Sequence, residues 1–410
     1  MSTANLLLAA CGILWLGSAQ AQETIDWSKA RVSPTPTIMQ HSVSEEGGAQ
    51  VLKLAYDISP KPGWGSYVAA PWQCPADAGD GISFEVKGDG STYYASFFLS
   101  YQPNVSMGYE AIFPLASTEW HKVTLRWDEL VQNHLPFDAK IVGLDTGLVL
   151  EPSRITTIGF GTGATLHEYR PQQYALEVRS IRIEAHIPVH QVASYSKGLA
   201  RTVALIKAKQ PLKILLIGDS ITAMYRDRSY GYYLGQELTQ AYGVDCQVAN
   251  VAIGGQTVRY GTIILGRSLA TMPDPDLVCI MFGANDCKEV EYRPAFTAEV
   301  FAAQLANLIA RVRQGTDGKA DILLLSGVAR LNQERTENAG TVEKIADGIR
   351  QAAEANQTGY CDTLAAYHTL LQGKQEEWLK LYKDTIHQGE DGQKFLCEQV
   401  FATIKGPLGE

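Results

Sequence analysis

Two short stretches in the second half of this chain hold the makings of an acid–base nucleophile. Gly218-Asp219-Ser220 closes the apolar run that starts at Lys213, and Asp384-Thr385-Ile386-His387 stands near the far end. A serine hydroxyl is a poor nucleophile until a base removes its proton. The base is constrained by scarcity, because after residue 211 the histidines are His368 and His387 alone. His368 sits in the apolar helical run Leu364–Leu371 and reads as structural. His387 follows Asp384 by three residues, a spacing that puts carboxylate and imidazole on the same side of one turn, so Asp384 can orient the ring. Ser220 is thus the expected nucleophile, His387 its base and Asp384 the orienting carboxylate.

Each signal is weak by itself. From typical residue frequencies Gly-Asp-Ser arises by chance in roughly one chain in ten of this length, and its plain reading is a strand-ending turn with a helix cap. Asp-x-x-His alone is more often a surface pair. Two further stretches change the balance: Asn250 to Thr257 (NVAIGGQT) and Gly283-Ala284-Asn285-Asp286. A side-chain amide at Asn285, the backbone N–H of Gly255 and the N–H of Ser220 at a helix start can together face a developing oxyanion. Alone, these stretches would be a polar turn and a loop glycine pair. All four in chain order, each near the end of a strand candidate, make a constellation.

The elements that must position them change in texture at about His186. From residue 212 to 410, apolar strand candidates (Ile214–Ile217, Cys246–Val251, Leu277–Phe282, Ile322–Leu325) alternate with helical patterns near Tyr230–Tyr242, Ala298–Arg313, Val342–Ala355 and Gly392–Ile404. Such alternation predicts an α/β domain with a parallel sheet covered on both faces, whose ligand crevice lies beyond the carboxyl ends of the strands. Residues 187–211 read as a linker, with an amphipathic helix from Ser194 to Lys209 stopped by Pro211. Residues 22–186 read as a β-sandwich: period-two runs such as Leu52, Leu54, Tyr56 and Ile82, Phe84, Val86 are separated by turn clusters. Trp120 and Trp127 are expected to fill its core, Trp64 and Trp72 to lie on its surface. Asp77, Asp80 and Asp89 read as solvated loop carboxylates, with a calcium site as the alternative.

Composition bounds the rest. The 410 residues exceed one ordinary core, and 45% hydrophobic with 19% charged residues is the balance of a soluble globular chain. A net charge of -9 offers no basic stripe for a phosphate backbone, which excludes nucleic acid as a partner. Leu6 to Gly17 is an apolar run too short to span a bilayer, and Ala19-Gln20-Ala21 after it is a small-x-small cleavage site. Residues 1–21 therefore read as a cleaved signal, despite the absence of Lys or Arg before Leu6, and the mature protein as secreted or periplasmic. Leu8-Ala9-Ala10-Cys11 resembles a lipoprotein box but leaves only three strongly apolar residues before the cut, so lipidation at Cys11 ranks second. No later run is long enough for a membrane helix. Cys74, Cys246, Cys279, Cys287, Cys361 and Cys397 remain, with pairing left open. Metal-ligand spacings of the Cys-x-x-Cys or His-Glu-x-x-His type are absent, so no metal is expected.

Residues 212–405 resemble the SGNH (GDS-type) hydrolase family, whose four blocks match Gly218-Asp219-Ser220, the glycine of Ile253-Gly254-Gly255-Gln256-Thr257, Gly283-Ala284-Asn285-Asp286 and Asp384-Thr385-Ile386-His387. The resemblance implies a flavodoxin-like three-layer α/β/α fold, Gly255 as the oxyanion glycine with Gly254 as fallback, Asp286 as a structural hydrogen-bonder, and no cofactor. Ile221, Gln388 after the histidine, and Ser326-Gly327-Val328-Ala329-Arg330 without its usual prolines depart from the family pattern. The last departure bears on specificity and leaves the chemistry intact. The front domain resembles jelly-roll carbohydrate-binding modules through Ile82–Gly90 and Thr118–Leu125. Together these imply an esterase removing O-acyl groups, above all O-acetyl, from an acylated carbohydrate. One alternative is a lipid or thioester hydrolase, which needs an apolar acyl channel; Trp378, Leu379, Leu381 and Tyr382 could line either that channel or a small acetyl pocket. Another is a carbohydrate-binding protein with a vestigial hydrolase domain. Trp378 is the one substrate-contact candidate, and nothing in the sequence specifies an oligomeric state.

Overall fold

The computed structural model describes residues 25–33, 39–58, 66–101, 108–134, 150–163, 173–287, 297–329, 341–371 and 375–409. The signal segment with Cys11, Trp64 and Arg330 lie outside them. In the front domain the strands in chain order are β1 (Arg31–Ser33), β2 (Met39–Glu46), β3 (Ala49–Asp57), β4 (Ser66–Pro71), β5 (Gly81–Lys87), β6 (Tyr94–Ser100), β7 (Gly108–Pro114), β8 (His121–Arg126), β9 (Val131–His134), β10 (Thr157–Thr162) and β11 (Gln173–Glu184). They form two sheets, β1-β4-β10-β6-β7-β9 and β2-β3-β11-β5-β8. Pairing is antiparallel in both.

Alternation decides what each strand buries. Ile82, Phe84 and Val86 of β5 face Phe97 and Leu99 of β6 across one apolar core, the arrangement of a two-sheet sandwich. The ring of Phe84 stacks 5.2 Å from Phe97 and meets Phe160 edge-on at 5.0 Å, geometries that aromatic quadrupoles favour. Trp127 joins this core as expected from the sequence. Trp72, expected at the surface, is buried there too, because its N–H donates to Thr156 O and carries the pairing of β4 with β10 one residue further. Trp120 departs the other way. It alternates with His121, Val123 and Leu125 and so shares the outer face with Lys122 and Thr124, half-buried beneath the Arg179 guanidinium 4.1 Å from its ring. Asp80 accepts the Ile187 N–H and the Asp89 carboxylate accepts the N–H groups of Ser91 and Ala175. Among the described residues no group of three or more His, Cys, Asp or Glu side chains is placed to share a metal ion.

The second half is a doubly wound domain of three layers. Its strands β12 (Leu212–Gly218), β13 (Cys246–Asn250), β14 (Leu277–Met281), β15 (Asp321–Leu325) and β16 (Gly359–Cys361) run parallel in the order β13-β12-β14-β15-β16. Helices in chain order are α1 (Ala200–Lys207), α2 (Ser220–Ala223), α3 (Tyr230–Tyr242), α4 (Val258–Ile263), α5 (Leu265–Thr271), α6 (Ala298–Gly315), α7 (Thr341–Asn356), α8 (Thr363–Leu371), α9 (Gln375–Lys380) and α10 (Glu390–Leu408). One layer packs α1, α3 and α10 together, and the opposite layer packs α4, α5 and α7 on α6. The all-apolar strand β14 and strand β15, apolar after Asp321, are buried along their whole length, as a sheet covered on both faces requires. Chain order reverses between β12 and β14, and the crevice beyond the carboxyl ends at such a switch point is where ligands bind. No helix among the described residues is long and apolar enough to cross a membrane.

Two sequence expectations shift. The helix expected from Ser194 begins at Ala200, since Gly198 takes a left-handed turn (φ +57) and the Asp321 carboxylate accepts the N–H groups of Arg201 and Thr202. A side chain from β15 thus sets the start of α1, and Leu199 and Ile206 pack into the second core. Within 187–211, then, the part from Ala200 onward belongs structurally to the second domain. Strand β16 was not expected at all: Gly359-Tyr360-Cys361 is too short for a pattern and is defined by pairing with Leu323–Leu325.

Candidate active site

Ser220 stands where β12 ends. A Cβ on Gly218 would lie 2.5 Å from Met281 O and 2.6 Å from Thr222 Oγ1, so only glycine lets the chain pass β14 and turn at once into α2. Asp219 is extended and buried, and its carboxylate accepts the Ile221 N–H at 3.0 Å as the cap of α2. The Ser220 N–H therefore falls in the first turn, where a helix supplies no acceptor of its own.

The imidazole arrives on a loop closed by a backbone bridge. Lys383 N–H donates to His387 O at 2.9 Å and Gly389 N–H to Leu381 O at 2.7 Å. Within the loop, Asp384 Oδ1 accepts the N–H groups of Ile386 and His387, each at 2.8 Å, and Oδ2 lies 2.8 Å from His387 Nδ1. His387 Nε2 lies 2.9 Å from Ser220 Oγ. An ionised carboxylate only accepts, so Nδ1 carries the proton and Nε2 is left to accept from the serine hydroxyl. Burial raises the Asp384 pKa, but the N–H groups of His387 and Ile386 and the His387 ring outweigh it and bring the carboxyl down to about 2. His368 is elsewhere, on α8, with Nε2 3.9 Å from Glu343.

Two loops converge on Ser220 from the neighbouring strands. Ile253 N–H donates to Gly218 O at 3.1 Å, which brings the glycine turn against the nucleophile. A Cβ on Gly254 would lie 3.6 Å from Ser220 Cβ, and Gly255 takes a left-handed conformation (φ +79). Asn285, half-buried after β14, donates one amide N–H to Gln256 O at 2.9 Å, which leaves the second amide hydrogen for another acceptor. Asp286 is fully buried and its two oxygens take Val258 N–H and Gly283 N–H, both at 3.0 Å. It ties the two loops together, the structural role that the resemblance implied. Trp378 falls on α9, and its side chain is outside the described residues.

Sequence reasoning missed the fasteners. Asn250 donates to Thr222 O at 2.6 Å and accepts Ala252 N–H at 3.2 Å, joining β13 to α2. Gln393 on α10 accepts Tyr230 N–H and donates to Ile221 O, each at 2.9 Å. Asn250 carries a signal, since it opens the glycine block. Gln393 carries none, because nothing local marks a helix residue whose partners lie far back in the chain. Gln388, where the family pattern often has proline, is buried beside the phenols of Tyr367 and Tyr382.

Comparison with known proteins bears on the second domain. Residues 216–395 match the profile of the GDSL-like lipase/acylhydrolase family. The second domain is a serine ester hydrolase of that family. No curated protein matches the chain. Solved structures similar to the GDSL-like half include the acetylxylan esterase Axe2 from Geobacillus stearothermophilus, 24% identical over 47% of this chain and 94% of that one, with a TM-score of 0.41. A lipase/acylhydrolase from Enterococcus faecalis is 23% identical over 48% and 96%, at 0.40. The acetyl xylan esterase AlAXEase is 19% identical over 47% and 98%, at 0.41. In all three the match lies on the GDSL-like side and leaves about half of this chain uncovered.

Proposed function

We propose that the protein removes O-acyl groups, above all O-acetyl, from a polysaccharide or oligosaccharide, with Ser220 as nucleophile, His387 as general base and acid, and Asp384 as its orienting partner. The observation that carries this reading is the unbroken relay from Asp384 Oδ2 through His387 to Ser220 Oγ, with both contacts below 3 Å. Ser220 Oγ attacks the acyl carbonyl while its proton passes to His387 Nε2. The negative charge that gathers on the carbonyl oxygen is held by the N–H groups of Ser220 and Gly255 and the second amide hydrogen of Asn285. Donors fixed in advance act where charge develops, and losing one lowers turnover by ~10²–10³. Collapse breaks the ester bond, His387 returns the proton to the departing sugar oxygen, and the acyl group stays on Ser220. Water then gives a proton to His387 and attacks, releasing carboxylate and the free serine. Every proton moves through one ring, and water is the only co-reactant.

The carbohydrate part of the proposal rests on the two-sheet front domain, taken as a jelly-roll of the carbohydrate-binding kind, joined to a GDSL-like domain; this is an argument from architecture. Export belongs to the same proposal, because residues 1–21 have the pattern of a cleaved signal. Sequencing the mature N-terminus should place it after Ala21. Leu379, 52% exposed just ahead of the histidine loop, is the observation that favours the longer-acyl reading. A chain-length series of p-nitrophenyl esters decides between them, and a preference for eight carbons or more would overturn the acetyl assignment. Acetate release from acetylated xylan, mannan, pectin and peptidoglycan identifies the glycan. Ser220→Ala should abolish that release. Glycan binding that survives in both forms, with no acetate from the wild type, would make the protein a binding module.

A further inference from the structure

The front domain presses on the helix after the oxyanion turn. Along β7, Tyr109, Ala111 and Phe113 point into the sandwich core, which leaves Glu110 and Ile112 on the outer face of their sheet. Val131 of β9 stands directly opposite Glu110 and shares that face. Ile112 and Val131 pack in one apolar cluster with Tyr260, Ile263 and Ile264, at the end of α4, and with Ile253. Ile253 is the first residue of the turn that brings Gly254 against Ser220 and exposes Gly255.

Other contacts lie along the same seam. Tyr67, on the outer face of β4, is buried with Glu110 and Tyr260 as its neighbours, so the contact runs from sheet to α4. Arg311 of α6, the helix on which α4 rests, donates to the carbonyls of Asp128 and Glu129 in the front domain. The turn is thus held from two sides. Hydrogen bonds to the Gly218 carbonyl and the Asp286 carboxylate, and from the Asn285 side-chain amide, fasten it inward, and the sandwich supports it from outside.

We propose that the front domain is a positioning element for the oxyanion turn: Ile112 and Val131, acting through Tyr260 and Ile253, hold the 253–257 turn where its donor can meet the tetrahedral intermediate. This rests on the roles proposed above for Ser220 and Gly255. Catalytic donors must be held to about 0.5 Å, so an interface that backs the turn governs turnover without touching substrate. Removing its apolar side chains leaves a cavity into which α4 can relax. A donor used only in the transition state lowers kcat when displaced, and KM stays put.

The test uses the full chain carrying Ile112→Ala with Val131→Ala and p-nitrophenyl acetate, an ester too small to need a separate sugar-binding face. The expected result is kcat lower by about tenfold or more, with KM within about twofold. The acidic limb of the pH profile should not move, because the Asp384–His387 loop hangs from other elements. Ile112→Val in place of Ile112→Ala should restore most of the rate. Wild-type kcat in the folded double variant overturns the proposal and leaves the front domain a tether. Should circular dichroism show the double variant unfolded, the single Ile112→Ala and Val131→Ala variants decide: a partial loss of kcat in each supports it, and unchanged kcat in both overturns it. Failure of the parent reading is separate, because wild type and Ser220→Ala would then hydrolyse the ester equally.

Discussion

His387 is oriented by what Asp384 cannot do: the carboxylate has no proton to offer, so the ring must present its free nitrogen to Ser220. His387→Ala should lower kcat by about 10⁴ or more, and Asp384→Asn by about 10²–10⁴ through the wrong tautomer. Steady-state rates at saturating ester check both, and near-wild-type turnover without the imidazole would move the base elsewhere. The depressed Asp384 carboxyl sets the sign of the acid response. Its folded value of about 2 lies below the ordinary carboxylate range near 3.9. Its contribution to stability is therefore present above about pH 4 and lost as pH falls toward 2. Protonation of the Asp384 carboxyl should therefore cost activity only as pH falls toward 2. Carboxyl-carbon NMR checks this, and an Asp384 midpoint near the ordinary value of about 4 would contradict it.

At the scale of elements, the turn after β12 depends on space and the surrounding helices on hydrogen bonds. Gly218→Ala places its Cβ against the Met281 carbonyl, which belongs to a central strand and cannot yield. Overpacking of this kind destabilises by about 1–3 kcal/mol, which chemical denaturation would register as a lower midpoint. Gln393→Ala leaves the buried Tyr230 N–H and Ile221 carbonyl without their partner. Stability should fall by about 1–3 kcal/mol, and a melting curve like wild type would show that α10 is held by packing alone. These elements differ in how far local pattern foretells them. Tyr230–Tyr242 announced itself by periodicity and is the helix observed, ending at the left-handed Gly243. The start of α1 and the existence of β16 depend on Asp321 and on Leu323–Leu325, residues more than thirty positions away, so no local pattern could mark them.

Over the whole molecule, burial governs the thiols as it governs the two cores. Burial pushes Cys361 up to about 11, Cys397 to about 12 and Cys279 higher still, while Cys246 is half-buried and raised less. The thiolate is the reactive form. In the native protein an aromatic disulfide reagent should label Cys246 slowly and leave Cys279, Cys361 and Cys397 untouched until denaturant is added. Peptide mapping reads this out, and rapid native labelling of Cys279 would contradict the packing of β14.

The sequence by itself determined the class of fold of the second domain and pointed to the residues of the proposed site. Ser220, Asn285, Asp384 and His387 were legible because each must sit in a particular local setting, after a strand or within one tight turn, and such settings leave marks over a few residues. The apolar periodicities of strand and helix were legible for the same reason. Tertiary structure alone decided which tryptophans face inward, which side chains fasten α1 and α10, and what stands behind the oxyanion turn. Those outcomes depend on pairs of residues far apart in the chain, where one partner carries no sign of the other until the strands are paired and the sheets closed.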